Sequence, residues 1–190
     1  PLTNYVKSTC DSSGSVAEIQ IYPGNTTLGI SSNTQKDQIV PYQFSGSGTD
    51  AAPYEISNEY ELDVMRYYIN NNPYPDKKYS EASYKLTEDI TLSSNKAFAP
   101  IGAYTSSKTG VFKGKFDGGF HVINGLVITN DNAYQGFFGY VNGTADKPAV
   151  IKNLFIISGK IQQNSDGAMG QRGILAGTAV NAEISGCIVS

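Results

Sequence analysis

The residues best suited to chemistry fall in and around one stretch, "KFDGGFHVINGLVI" (115–128), which holds Asp117 and the sole histidine, His121; Asp89 lies upstream in "YKLTEDITL". A histidine with carboxylates within reach is what general acid–base catalysis uses. The local pattern argues for a different job. Asp117 is followed by Gly118 and Gly119, so it stands where an Asx-type turn needs a side-chain acceptor and where the glycines allow positive φ. His121 then leads into a strand whose Val122, Ile123, Leu126 and Ile128 define a buried face. Scaffolding is the favoured reading: Asp117 as turn acceptor, His121 as a hydrogen-bonded histidine holding the chain.

Other chemistries lack their residues. A zinc peptidase needs two or three ligands at helix-compatible spacing, and one histidine does not supply them. Neither GxSxG nor a cysteine near a histidine occurs, and no metal or cofactor is expected. Cys10 and Cys187 are too few for a disulfide framework; Cys187 reads as an inert, buried thiol. The enzymatic rival is carbohydrate cleavage, which requires carboxylates converging from neighbouring strands. After residue 118 the acids are Asp131, Asp146, Asp166 and Glu183, and the first three lie in loops that do not align. Passive sugar binding is the milder alternative. Phe137, Tyr140 and Tyr134 are its candidate ligand-binding aromatics, with the loop "QQNSDGAMGQRG" (162–173) as a wall.

Composition narrows the field. Fourteen Lys and Arg against seventeen Asp and Glu give a net charge of −3 without a basic cluster, so nucleic acid is not an expected partner. No apolar run reaches the roughly 18 residues of a membrane span. Twenty glycines, thirteen tyrosines and eight phenylalanines favour strands and turns over helices. The chain begins at Pro1 rather than Met, so removal of an upstream segment is expected.

The elements follow from periodicity. Residues 1–52 form an N-terminal β segment, with "SVAEIQIY" as its clearest strand and "SGSGTDAAP" (45–53) as the joint. One helix is predicted over 57–71: Ser57 or Asn58 caps it, Asn58 and Glu61 have capping-box spacing, and Leu62, Met65 and Ile69 share a face. Short strands follow, and they repeat. "HVINGLVI", "AVIKNLFI" and "AEISGCIV" align Ile123 with Ile151 and Ile184, Leu126 with Leu154 and Cys187, and Ile128 with Ile156 and Val189. "GFFG" (136–139) and "ILAG" (174–177) align between them. Repeats of this length without intervening helices predict a solenoid of stacked parallel strands, with Leu126, Leu154 and Cys187 as one ladder and the helix covering the first coil.

These motifs, in this order, resemble the GLUG-type repeats of bacterial surface proteins, which also occur beside IgA-cleaving metallopeptidase domains. The resemblance runs over about residues 53–190: Pro53-Tyr54 with Ile56, the helix, Tyr84 to Thr87 with Asp89-Ile90, Pro100-Ile101-Gly102, Phe112 through Ile128, and Gly136 to Gly139. The sequence departs from the pattern at "GGF" before His121 and at "ILAG". The resemblance implies a mainly β fold, a right-handed parallel β-helix behind one capping α-helix. It also implies a secreted or cell-surface bacterial protein. The expectation is therefore a non-catalytic domain for adhesion or presentation, with a host or matrix glycan or protein as partner. A carbohydrate-active or carbohydrate-binding β-helix is the alternative. Because the last ladder strand is followed only by Ser190, a longer solenoid or end-to-end self-association is also expected.

Overall fold

The computed structural model describes residues 4–9, 16–21, 42–94, 97–103, 110–129, 133–162 and 170–190, and the described chain is mainly β. It divides into two compact units, Pro1–Gln43 and Phe44–Ser190. In the first, β1 (Asn4–Thr9) and β2 (Val16–Ile21) pair antiparallel. Cys10 lies outside the described residues.

The boundary between units falls nine residues before the predicted one at 52/53 (52 − 43). The predicted joint, 45–53, is bonded to the second unit: Ser83 N–H donates to the Gly48 carbonyl and Ser83 Oγ to Asp50. Just before it, Phe44 is buried among Tyr54, Tyr68, Tyr79 and Tyr84, with ring centroids 5.3–6.4 Å away. A Ser/Gly-rich composition suggested flexibility, and aromatic burial beside it overrides that.

The second unit begins with β3 (Tyr54–Ile56) and the helix α1 (Glu59–Asn71). Asn58 caps α1 by accepting from the Glu61 N–H at 3.0 Å. The Glu61 carboxylate reaches back one residue further than the capping box predicts, accepting from the N–H (2.7 Å) and hydroxyl (2.9 Å) of Ser57. Leu62, Met65 and Ile69 are buried as the periodicity requires. Asn72 ends the helix in the left-handed conformation. Two short 3-10 turns, Pro75–Lys77 and Tyr79–Glu81, lead into the strands.

These are β4 (Ser83–Leu86), β5 (Ile90–Thr91), β6 (Lys115–Asp117), β7 (Val122–Asn124), β8 (Val127–Ile128), β9 (Tyr134–Gln135), β10 (Phe138–Asn142), β11 (Ala149–Lys152), β12 (Phe155–Ile157), β13 (Lys160–Ile161), β14 (Gln171–Arg172), β15 (Ala176–Val180), β16 (Ala182–Ser185) and β17 (Ile188–Val189). All their pairings are parallel. One sheet runs β16-β11-β6-β4-β3, a second β17-β12-β7-β5, and three pairs join β13 to β8, β14 to β9 and β15 to β10. Successive turns of chain visit these sheets in the same order. Inward side chains therefore stack: Tyr54, Tyr84, Phe116, Ile151 and Ile184 along the first sheet, and Ile90, Ile123, Ile156 and Val189 along the second. Strands in such stacks are about 4.8 Å apart, so each ladder is a continuous apolar column.

The register corrects the predicted alignment. Ile123 lies opposite Ile156, not Ile151, so the spacing is 33 residues at both steps (156 − 123 and 189 − 156). Leu126 and Leu154 are both buried but occupy different positions in their turns: the Leu126 carbonyl accepts from Lys160, whereas the Leu154 carbonyl accepts from Ile188. The predicted Leu126–Leu154–Cys187 ladder thus loses its first member. The two motifs sit at different places in their turns: Ile123 belongs to the second sheet and Ile151 to the first, five residues before Ile123's true partner Ile156, while Phe116 to Ile123 also spans two more residues than the equivalent Ile151 to Ile156 (7 against 5). "GFFG" and "ILAG" do align, with Phe138 opposite Ala176.

The two ends of the stack differ. Glu59 of α1 accepts from the N–H and hydroxyl of Ser93, just past the edge strand β5, while Asn70 accepts from Gly102 and Ala103 N–H and donates to the Pro100 carbonyl. At the other end Ile184, Ile188 and Val189 are 45%, 56% and 47% exposed. Cys187 belongs to this last turn, so it is partly exposed rather than buried as expected; its Sγ is 3.4 Å from the Ser185 carbonyl. Among the described residues no helix is long and apolar enough to cross a membrane.

Candidate functional site

Alternation along the first sheet turns every second side chain outward. One row runs Glu55, Lys85, Asp117, Lys152 across four strands, and the neighbouring row runs Ser83, Lys115, Val150, Glu183. With Asp50 and Pro53 from the preceding loop, these side chains other than Glu183 line an open trough of about 590 Å³ over β3, β4, β6 and β11. The signs alternate along the first row, so each charged residue has an oppositely charged register neighbour on the next strand.

Most of these charges are already engaged. Lys115 Nζ donates to Asp50, whose carboxylate also accepts from Ser83 Oγ at 2.6 Å; the lysine bond, then the serine bond, lowers the Asp50 pKa. Asp117 Oδ1 accepts from Gly119 N–H at 2.9 Å and Asn153 Nδ2 at 3.1 Å, and Lys152 Nζ lies 3.2 Å from Oδ2. Burial alone would raise the Asp117 pKa, but these bonds outweigh it and the net shift is downward. The Glu55 and Lys85 side chains have no hydrogen-bond or ion-pair partner among the described residues, although the two are register neighbours.

Asp117 therefore makes the Asx turn its sequence suggests. Of its two glycines only Gly119 takes positive φ, at +60°, and the second left-handed residue is Phe120, at +63°. Gly118 serves a different need: a Cβ there would collide with the backbone of Asn153 and Leu154 on the next turn. His121 Nδ1 lies 3.2 Å from Asp89 Oδ1, which also accepts from Val122 N–H at 2.9 Å. The Val122 bond, then the His121 bond, lowers the Asp89 pKa. Asp89 and Asp117 thus brace opposite sides of one turn. Neither has the raised pKa of a general acid.

The aromatic candidates separate. Phe137 is fully buried, stacked on Phe98 at 5.3 Å and edge-on to Phe116 at 5.9 Å, which corrects its assignment as a surface ligand. Both residues of "FF" point into the core because the chain bends at Gly136, where a Cβ would crowd the Gly173 carbonyl at 2.5 Å; strict alternation fails there. Tyr134 and Tyr140 are half-buried and meet edge-to-face at 4.9 Å, with Gln171 and Thr178 in register beyond them. Of the loop that was to wall this spot, residues 163–169 lie outside the described residues.

The trough charges Asp50, Glu55, Lys85, Lys115 and Lys152 carried no motif. Only the true register of the first sheet brings them together, and the likeness of "HVINGLVI" to "AVIKNLFI" points to a different one. Among the described residues no group of three or more His, Cys, Asp or Glu is placed to hold a metal ion. Compared with protein-family models, curated proteins and solved structures, the chain finds no match.

Proposed function

We propose that residues 44–190 form a right-handed parallel β-helix of the GLUG-repeat kind, acting as a non-catalytic adhesion or presentation domain of a secreted or cell-surface bacterial protein. The five parallel sheets visited in constant order support the fold reading. The observation that carries the functional reading is the fate of the acids beside the sole histidine. Asp89 and Asp117 are occupied by backbone N–H groups of the chain's own turn and held below the ordinary carboxylate range. A glycosidase acid needs the opposite shift, and its partner carboxylate must face the same substrate bond.

The test is incubation of the full chain with a panel of plant, bacterial and host polysaccharides, read by reducing-end release and by absorbance of unsaturated products. The expected result is no product above a denatured control. Product that disappears in Asp89→Asn or Asp117→Asn would overturn the reading and make those acids catalytic.

A further inference from the structure

Six charged side chains line the trough, three carboxylates (Asp50, Glu55, Asp117) and three ammonium groups (Lys85, Lys115, Lys152). Their charges cancel, so the trough as a whole favours neither an anion nor a cation. An apolar ligand would strip water from all six groups and return nothing. A molecule that satisfies them presents donors and acceptors at close intervals without net charge, and vicinal hydroxyls do so: each donates one proton and accepts through its lone pairs.

The pairing pattern sharpens this. Lys115–Asp50 and Lys152–Asp117 pair with each other, whereas the Glu55 and Lys85 side chains, register neighbours on β3 and β4, have no partner among the described residues. An unpaired carboxylate beside an unpaired ammonium, one strand spacing apart, can take the hydrogen of one hydroxyl and the lone pair of its neighbour, both as charge-assisted bonds. The cavity of about 590 Å³ lies within the range of small-ligand sites and is open to solvent. The groups repeat at the strand interval, so a chain-like ligand crossing the strands meets similar chemistry at each step.

We propose that this trough binds a neutral, hydroxyl-rich glycan chain lying across β3, β4, β6 and β11, with Glu55 and Lys85 as its hydrogen-bonding anchors. The proposal rests on the non-catalytic adhesion reading and names the ligand class of that domain.

Calorimetric titration of the full chain with neutral β-glucan and mannan oligosaccharides, and with an oligogalacturonate for contrast, tests it. Binding of at least one neutral oligosaccharide is expected, weakened about tenfold or more by Glu55→Gln and by Lys85→Gln, the worth of one charge-assisted hydrogen bond. Lys160→Gln, on β13 and outside the trough lining, should leave the affinity unchanged. Neither anchor has a partner to lose, so both variants should melt as the parent does; a melting curve verifies that. Absence of binding to every neutral probe, preference for the oligogalacturonate, or affinity indifferent to both anchor variants overturns the proposal. Such a failure without product release leaves the non-catalytic reading standing, whereas product release sinks that reading whatever the affinities.

Discussion

Phe120 is the residue most at odds with its own backbone. It holds φ at +63° while its side chain is 66% exposed, with the Phe155 ring 6.2 Å away as its only ring neighbour among the described residues. The left-handed region costs a non-glycine residue about 1–2 kcal/mol, and glycine recovers that less its own loss of chain entropy. Phe120→Gly should therefore stabilise the unit by up to about 1 kcal/mol in urea denaturation, while Phe120→Ala, which keeps the strain and loses the ring contact, should not. Asp117 sets a pH limit in the same turn. Its folded pKa lies below the unfolded value, so its contribution is fully present above about pH 4 and disappears as pH falls through the folded pKa. Asp117→Asn should flatten the acid limb of a melting-temperature profile and lower the plateau at neutral pH. An unchanged acid limb would show that the turn does not depend on the charge.

The ladders explain which parts of the structure could be read from the sequence. Helix α1 was legible because its cap, its apolar stripe and its terminating asparagine and prolines are all local signals. The strands were legible as apolar alternation, and "GFFG" over "ILAG" fell into register because the two motifs themselves match, although they stand 38 residues apart (176 − 138), the extra length falling mostly between β13 and β14. The first ladder slipped because sequence similarity between "HVINGLVI" and "AVIKNLFI" competes with a periodicity of 33 residues, and the pairing of Val122–Asn124 with Phe155–Ile157 follows the periodicity. Phe137 was misplaced for a related reason: alternation is a property of extended strands, and the chain bends there. Position in the stack should also govern mutational cost. Ile151 is fully buried between Phe116 and Ile184, whereas Ile184 has a neighbour on one side only. Ile151→Ala should cost about 2–5 kcal/mol and Ile184→Ala well under half of that, measured by urea denaturation. Equal costs would mean that Ile184 is covered in solution.

At the scale of the second unit, the stack is closed at one end and open at the other. Phe44, Tyr54, Tyr68, Tyr79 and Tyr84 form an aromatic cluster on and beside α1, and burial pushes the Tyr79 hydroxyl up to about 12 and raises that of Tyr84 as well. The far end carries Ile184, Ile188 and Val189 with their outer faces exposed and the outer edges of β16 and β17 unpaired among the described residues. In a quasi-linear stack each turn is stabilised by its neighbours, so a turn with one neighbour opens more often than one with two. Native-state hydrogen exchange should show this as a gradient. The Ile188 and Ser190 amides, bonded to Leu154 and Ile156, should exchange at least about tenfold faster than interior amides such as Phe155, bonded to His121; tenfold corresponds to about 1.4 kcal/mol of opening free energy. The gradient should not change with protein concentration if the end is free. Protection of Ile188 and Ser190 that rises with concentration would instead show that exposed isoleucines and unpaired strand edges have drawn a second molecule onto the open turn.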